Sequence, residues 1–246
     1  NENEAFKKDI VDLSTGIAWY RKSFVLPEGL DPHKIFVEFE GVRHAGVVYV
    51  NGTLVGLHEN GIMAFGFDIS HLIKPNPQKN VIAVRTDNSW DYRERFFNQR
   101  YQWNDKNFNA NYGGIPKNVY LHTAGATYQT LPLFSTLGTT GTYVYADSIE
   151  IQHKSAIVHV ESEVKNEDSK AVIAGLEIVV LDLEGNEIAN FEGTPRMISP
   201  NGKITLNASK KLDALEFWSW GYGYLYTVIS RVKIENKVVD EVSIRT

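Results

Sequence analysis

Residues Val47–Ser70 read VVYVNGTLVGLHENGIMAFGFDIS. Asn51-Gly52 stands between Val48-Tyr49-Val50 and Thr53-Leu54-Val55. An Asn-Gly pair between alternating apolar residues specifies a tight β-hairpin, because both residues tolerate the positive φ of a type I′ turn. Gly56 and Gly61 read as loop punctuation after it. Phe65 and Phe67 alternate with Ala64, Gly66 and Asp68, as in a half-buried strand. Asp68 is placed to cap a short helical turn through Leu72 and Ile73, which Pro75 and Pro77 stop.

Strands extend on both sides of this block. Gly16 to Leu26 reads as a strand ended by Pro27-Glu28-Gly29, and Ile35, Val37 and Phe39 alternate as a second. Lys79 to Thr86 is apolar on both faces, the pattern of a central strand. Asp87 to Gly114 breaks the rhythm, with eight aromatic residues and, between Asn98 and Asn111, five Asn. Structureless connections beyond about 12–15 residues are uncommon in compact domains unless functional or disordered. The aromatic density disfavours disorder, so the stretch reads as an ordered insert packed on its domain. Asn118 to Thr123 returns to strand, and Thr- and Gly-rich Ala124 to Tyr145 reads as the close of the first domain.

After Ala146 the texture is one of even, alternating strands. Ala156, Val158, Val160, Ser162 and Val164 share one face; Val172, Ala174, Leu176, Ile178 and Val180 share the next. Shorter runs at Ile204–Ala208, Tyr226–Ile234 and Val238–Ile244 follow, with turns at Glu184-Gly185-Asn186 and Asn236-Lys237. Short strands at this spacing describe an immunoglobulin-like sandwich. The chain is therefore expected to be all-β: a jelly-roll, galactose-binding-like β-sandwich over residues 1–146, then an immunoglobulin-like β-sandwich over residues 147–246.

Composition narrows the function classes. The 246 residues carry a net charge of -5, and no run of Lys or Arg forms a stripe, which argues against a nucleic-acid partner. No apolar run reaches the roughly 18 residues of a membrane span, so no membrane partner is expected. Cys is absent, which removes disulfides, thiolate chemistry and thiolate zinc sites. The first residues, NENEAFKK, lack a signal-peptide pattern, and the chain starts without Met.

The block at 47–70 resembles the sugar-binding signature of glycoside hydrolase family 2, the family of β-galactosidases, β-glucuronidases and β-mannosidases. That signature reads V-x-V-N-G, V-G-x-H, G-G-Y-x-x-F and D-I-T/S. The matching residues are Val48-Tyr49-Val50-Asn51-Gly52, Val55-Gly56-Leu57-His58, Gly61, Phe65 and Asp68-Ile69-Ser70, with Asn60 and Ile62 departing from it. Asn111-Tyr112-Gly113-Gly114-Ile115 and Val119-Tyr120-Leu121-His122 are similar to the motif that closes that domain. Phe217-Trp218-Ser219-Trp220 and Tyr224-Leu225-Tyr226 are similar to the L-W…P-x-L-Y motif of the family's second domain, without its Pro. Trp19-Tyr20-Arg21 extends the match, so it spans nearly the whole chain in the family's order.

The resemblance implies a retaining O-glycosidase whose Glu pair lies on a C-terminal (β/α)₈ barrel of the same polypeptide. Two sandwiches leave no room for a barrel in this chain, so it is expected to be inactive alone and to carry no catalytic residue. Its implied partner is a carbohydrate, β-galactoside-like first, with β-glucuronide or β-mannoside as alternatives; the alternative from another class is a free carbohydrate-binding module, for which the jelly-roll-like first domain and its aromatic loop also speak. No metal and no cofactor are expected. Polysaccharide-degrading relatives suggest a periplasmic or secreted home, and the family leaves room for a homo-oligomer.

The residues themselves agree on the missing chemistry. There is no G-x-S-x-G elbow, no P-loop, no H-E-x-x-H and no EF-hand loop. Asn1-Glu2, Asn3-Glu4, Asn166-Glu167 and Asn186-Glu187 match the family's Asn-Glu acid/base pair but read as solvated turn or terminal residues. Within the insert, the resemblance assigns Trp103 to stacking on a sugar face. Asp105, Asn107 and Asn109 would hydrogen-bond hydroxyls, which carboxylates and amides can pair. Turn capping by Asn and Asp and core filling by Trp explain the same residues equally well. Trp218 is expected to be a buried anchor of the second domain. Asn51-Gly52-Thr53 and Asn207-Ala208-Ser209 match the glycosylation sequon, though a tight turn is the simpler reason for the first.

Overall fold

A computed structural model describes residues 15–30, 32–100 and 113–246. The chain divides into two compact units, Asn1–Thr123 and Ala124–Thr246, and both are β-sandwiches.

The first unit is built from β1 (Ile17–Phe24), β2 (Lys34–Phe39), β3 (Ala45–Val50), β4 (Thr53–Glu59), β5 (Phe65–Asp68), β6 (Asn80–Asp87) and β7 (Val119–Ala124). One sheet has the order β1-β6-β3-β4 and the other β5-β2-β7. Val48, Val50 and Val84 of the first sheet meet Ile35, Val37, Phe39 and Phe65 of the second in one buried cluster. Removing that apolar area from water is the main drive for the layers to close. β6 lies between β1 and β3, the central place its two-sided apolar pattern indicated.

The Asn-Gly hairpin forms as expected, with φ of 51° at Asn51 and 86° at Gly52. Val50 pairs with Thr53 across it. The Asn51 amide also ties the turn to its neighbours. Its nitrogen donates to Leu72 O at 2.7 Å and to Asn80 Oδ1 at 2.9 Å, and its oxygen accepts Val81 N–H at 2.9 Å. That nitrogen is the atom a glycan would need, so the turn accounts for this sequon. Gly56 is not a loop residue. It lies inside β4, where a Cβ would stand 2.6 Å from Phe67 Cζ, so the ring requires glycine beneath it. After β5, Asp68 Oδ1 accepts Ser70 N–H at 3.0 Å and opens a single 3₁₀ turn, Ser70–Leu72.

The second unit holds β8 (Thr127–Gln129), a helical turn Phe134–Leu137, β9 (Thr142–Glu150), β10 (Ser155–Asn166) and β11 (Val172–Leu181). Then follow β12 (Glu187–Glu192), β13 (Arg196–Ile198), β14 (Lys203–Leu212), β15 (Thr227–Ile234) and β16 (Lys237–Arg245). One sheet runs β14-β10-β8, with β9 also on β10; the other runs β12-β11-β15-β16, with β13 on β11. Val160, Val164 and Leu206 pack against Leu176, Ile178 and Val232, on the faces the alternation marked. Ala124–Tyr145 belongs with this unit, because β8 and β9 both pair with β10. The division therefore falls at Thr123/Ala124, upstream of Ala146.

Two further expectations differ from the structure. Trp218 is 67% exposed, and its neighbour Phe217 makes the core contact instead. Asn166 is fully buried rather than solvated, and its amide nitrogen donates to Lys170 O at 2.8 Å and Ser199 O at 3.2 Å. Its partner in sequence, Glu167, is ion-paired with Lys165 at 2.5 Å and accepts the Tyr128 hydroxyl at 3.0 Å. Both roles are structural.

Candidate functional site

The insert leaves β6 at Asp87 and re-enters the fold before β7. Its departure is fixed by buried polar residues. Asp87 Oδ2 accepts Arg85 Nη2 at 3.0 Å, while Oδ1 accepts the Ser89 amide at 3.1 Å and hydroxyl at 2.7 Å. Asn88 pairs with Gly16 twice, donating its amide to Gly16 O and accepting Gly16 N–H on Oδ1, both at 3.0 Å. Buried polar groups are stable here because each is bonded.

The return is fixed by close approach. Arg43 and Gly114 exchange backbone hydrogen bonds at 2.9 and 3.2 Å. Gly114 has φ of 88°, and a Cβ there would collide with the Tyr20 hydroxyl. At Gly113 a Cβ would lie 2.5 Å from the Asn88 amide nitrogen. The Gly-Gly pair thus lets the end of the insert close onto its beginning.

Between these stems, Glu59 at the end of β4 holds the first half of the insert. It accepts the Tyr92 hydroxyl and, at 2.9 Å, the Arg95 amide. Arg100 Nη2 donates to Trp90 O at 2.7 Å, and Asn98 turns the chain with φ of 53°. Phe96 and Phe97 sit at this turn, 86% and 66% exposed, edge to face at 4.8 Å. Beside Glu59, His58 stacks on Phe65 with centroids 4.2 Å apart. Burial lowers the His58 pKa against the opposing pull of the Glu59 charge, so the ring is held neutral. Among the described residues, His58 Nε2 and Arg43 Nε are buried without a hydrogen-bond partner.

Trp103, Asp105, Asn107 and Asn109 lie outside the described residues, as does Tyr112 of the closing motif. What the structure describes is the two stems of the insert to which they belong. Sequence reasoning missed Glu59 as the anchor of that insert, although its place at the end of a hairpin strand was a usable signal. Among the described residues, no three His, Cys, Asp or Glu side chains gather as a metal site.

Residues 5–125 match the model for "Glycosyl hydrolases family 2, sugar binding domain", and residues 142–246 match that for "Glycosyl hydrolases family 2". A beta-glucuronidase of Formosa agariphila is 36% identical over 92% of this chain and 22% of its own length. A beta-galactosidase of Bacteroides ovatus is 26% identical over 95% of this chain and 25% of its own length. A solved beta-glucuronidase from glycoside hydrolase family 2 superposes with a TM-score of 0.84 at 34% identity, over 95% of this chain and 24% of its own. The chain thus spans about a quarter of the length of these relatives. With both family models matched in order across two sandwiches, the chain belongs to glycoside hydrolase family 2, as its sugar binding domain and the immunoglobulin-like domain that follows.

Proposed function

We propose that this chain is the non-catalytic N-terminal part of a retaining O-glycosidase. In this reading the first domain edges the sugar pocket of a (β/α)₈ barrel in the same polypeptide. The observation that carries it is the anchored insert: both stems are tied to strands, and Glu59 holds its first half at Tyr92 and Arg95. An aromatic- and Asn-rich loop held this way can present Trp103 for stacking and Asp105, Asn107 and Asn109 for hydroxyl hydrogen bonds. Rigid placement matters because a positioning group contributes only when it is held near the productive geometry.

On substrate, a β-glucuronide is favoured by the 36% identity to a beta-glucuronidase, against 26% to the beta-galactosidase. A β-galactoside is the second reading, supported by that same B. ovatus relative, which matches 95% of this chain. The test compares p-nitrophenyl β-D-glucuronide with p-nitrophenyl β-D-galactoside, using the polypeptide that continues this chain and, separately, the 246 residues alone. The longer enzyme is expected to release p-nitrophenol from the glucuronide at the higher kcat/KM, and the 246 residues to release none. Preference for the galactoside would leave the domain assignment standing and overturn the substrate.

A further inference from the structure

The outer face of the β1-β6-β3-β4 sheet carries a groove of about 480 Å³, lined among the described residues by none from the insert. Its floor is made by small side chains of the central strand, Val81 and Ala83. The strands on either side rise above it. Arg21 of β1 and Tyr49 of β3 are both paired with Ala83 across the ladder, and Trp19 lies two residues before Arg21 on the same face. Trp19 is 60% exposed, and its ring lies 5.8 Å from that of Tyr49 at an angle of 37°. The two rings meet over this floor and form one exposed aromatic platform at the groove.

The charge lining this groove is of one sign. Arg21, Lys74 and Lys79 line it, with no Asp or Glu. None of the three makes a side-chain hydrogen bond or ion pair among the described residues. In a chain with a net charge of -5, three cations without a side-chain partner among the described residues surround two aromatic rings. Apolar ring faces suit the C–H face of a pyranose, and guanidinium and ammonium groups suit a carboxylate or sulfate on that sugar. An acidic peptide would use the cations but has no need of a paired aromatic platform.

We propose that this groove binds an acidic saccharide, with Trp19 and Tyr49 stacking on the sugar and Arg21, Lys74 and Lys79 meeting its anionic groups. The site is built wholly from the first sandwich and stands independently of the hydrolytic specificity proposed above.

The 246-residue chain is titrated by calorimetry with oligogalacturonate, with a sulfated galactan oligomer, with neutral dextran oligomers and with polyglutamate. Binding to either anionic saccharide is expected, the two probes separating carboxylate from sulfate preference. Trp19→Ala and the pair Arg21→Gln, Lys79→Gln should each weaken it roughly tenfold, about 1.4 kcal/mol. Trp220→Ala, on a side chain 98% exposed in the second unit, should not. Raising NaCl from about 50 mM to about 500 mM should weaken binding several-fold, since exposed charges are screened within a Debye length. Thermal melts of each variant verify folding. Equal affinity for dextran, equal affinity for polyglutamate with no effect of Trp19→Ala, or no binding to either acidic saccharide would each overturn the proposal.

Discussion

The Tyr92 hydroxyl donates to the Glu59 carboxylate across 33 positions of sequence, and the Arg95 amide donates to the same oxygen at 2.9 Å. The last residue of a hairpin strand thereby clamps a segment that, among the described residues, pairs with none of the named strands. The hairpin selected by Asn51-Gly52 fixes where β4 ends, and so fixes the clamp.

Glu59→Ala should loosen the insert without opening the sandwich. Hydrogen bonds to a charged group contribute about 1.5–3 kcal/mol, so urea unfolding should report a loss at or below that scale. Trypsin should cleave after Arg93, Arg95 and Arg100 markedly faster than in the parent chain. Unchanged cleavage would mean that the clamp does not restrain the loop.

Gln129 and Asp240 give the second unit a pH signature. Asp240 Oδ2 accepts the Gln129 amide at 2.8 Å and its side-chain nitrogen at 3.2 Å. Burial raises the Asp240 pKa, and the Gln129 bonds only partly offset it. Between the ordinary aspartate value, about 3.9, and the raised one, the folded state holds more protons than the unfolded state. Stability from this residue therefore falls as pH rises through that window. Asp240→Asn cannot ionise, so its stability relative to the parent should climb across the window and then level off. A difference that stays flat with pH would show that Asp240 titrates normally.

The two aromatic and aliphatic positions Trp218 and Leu206 should separate surface from core. Trp218 is largely exposed, and Leu206 is 1% exposed between the sheets. Leu206→Ala should cost about 2–5 kcal/mol of unfolding free energy by denaturant titration, while Trp218→Ala should stay near 0.5 kcal/mol. A larger loss at Trp218 would restore it as a core anchor.

Legibility in the sequence followed physical period. The hairpin at Asn51-Gly52, the central strand at residues 80–87 and the buried faces of β10 and β11 were readable because alternation and turn chemistry act within a few residues. Gly56 was misplaced in a loop because its reason, the Phe67 ring, comes from another strand. The domain division was placed late because pairing of β8 and β9 with β10 is decided at long range. Asn166 and Trp218 misled for the same reason: burial depends on the partner layer, and residue type only biases it. The groove between Trp19 and Tyr49 was not legible as a site even though both residues lie in quoted motifs, since three strands must register before those rings meet.

The most direct test of the account is kcat/KM on p-nitrophenyl β-D-glucuronide for the longer enzyme carrying Asp105→Ala or Asn107→Ala, beside its melting temperature. If the insert edges the sugar pocket, each substitution should lower kcat/KM roughly tenfold or more, about 1.4 kcal/mol of transition-state binding, with the melting temperature nearly unchanged. Variants that melt early while their folded fraction keeps full activity would contradict it, and would make these residues caps of the loop.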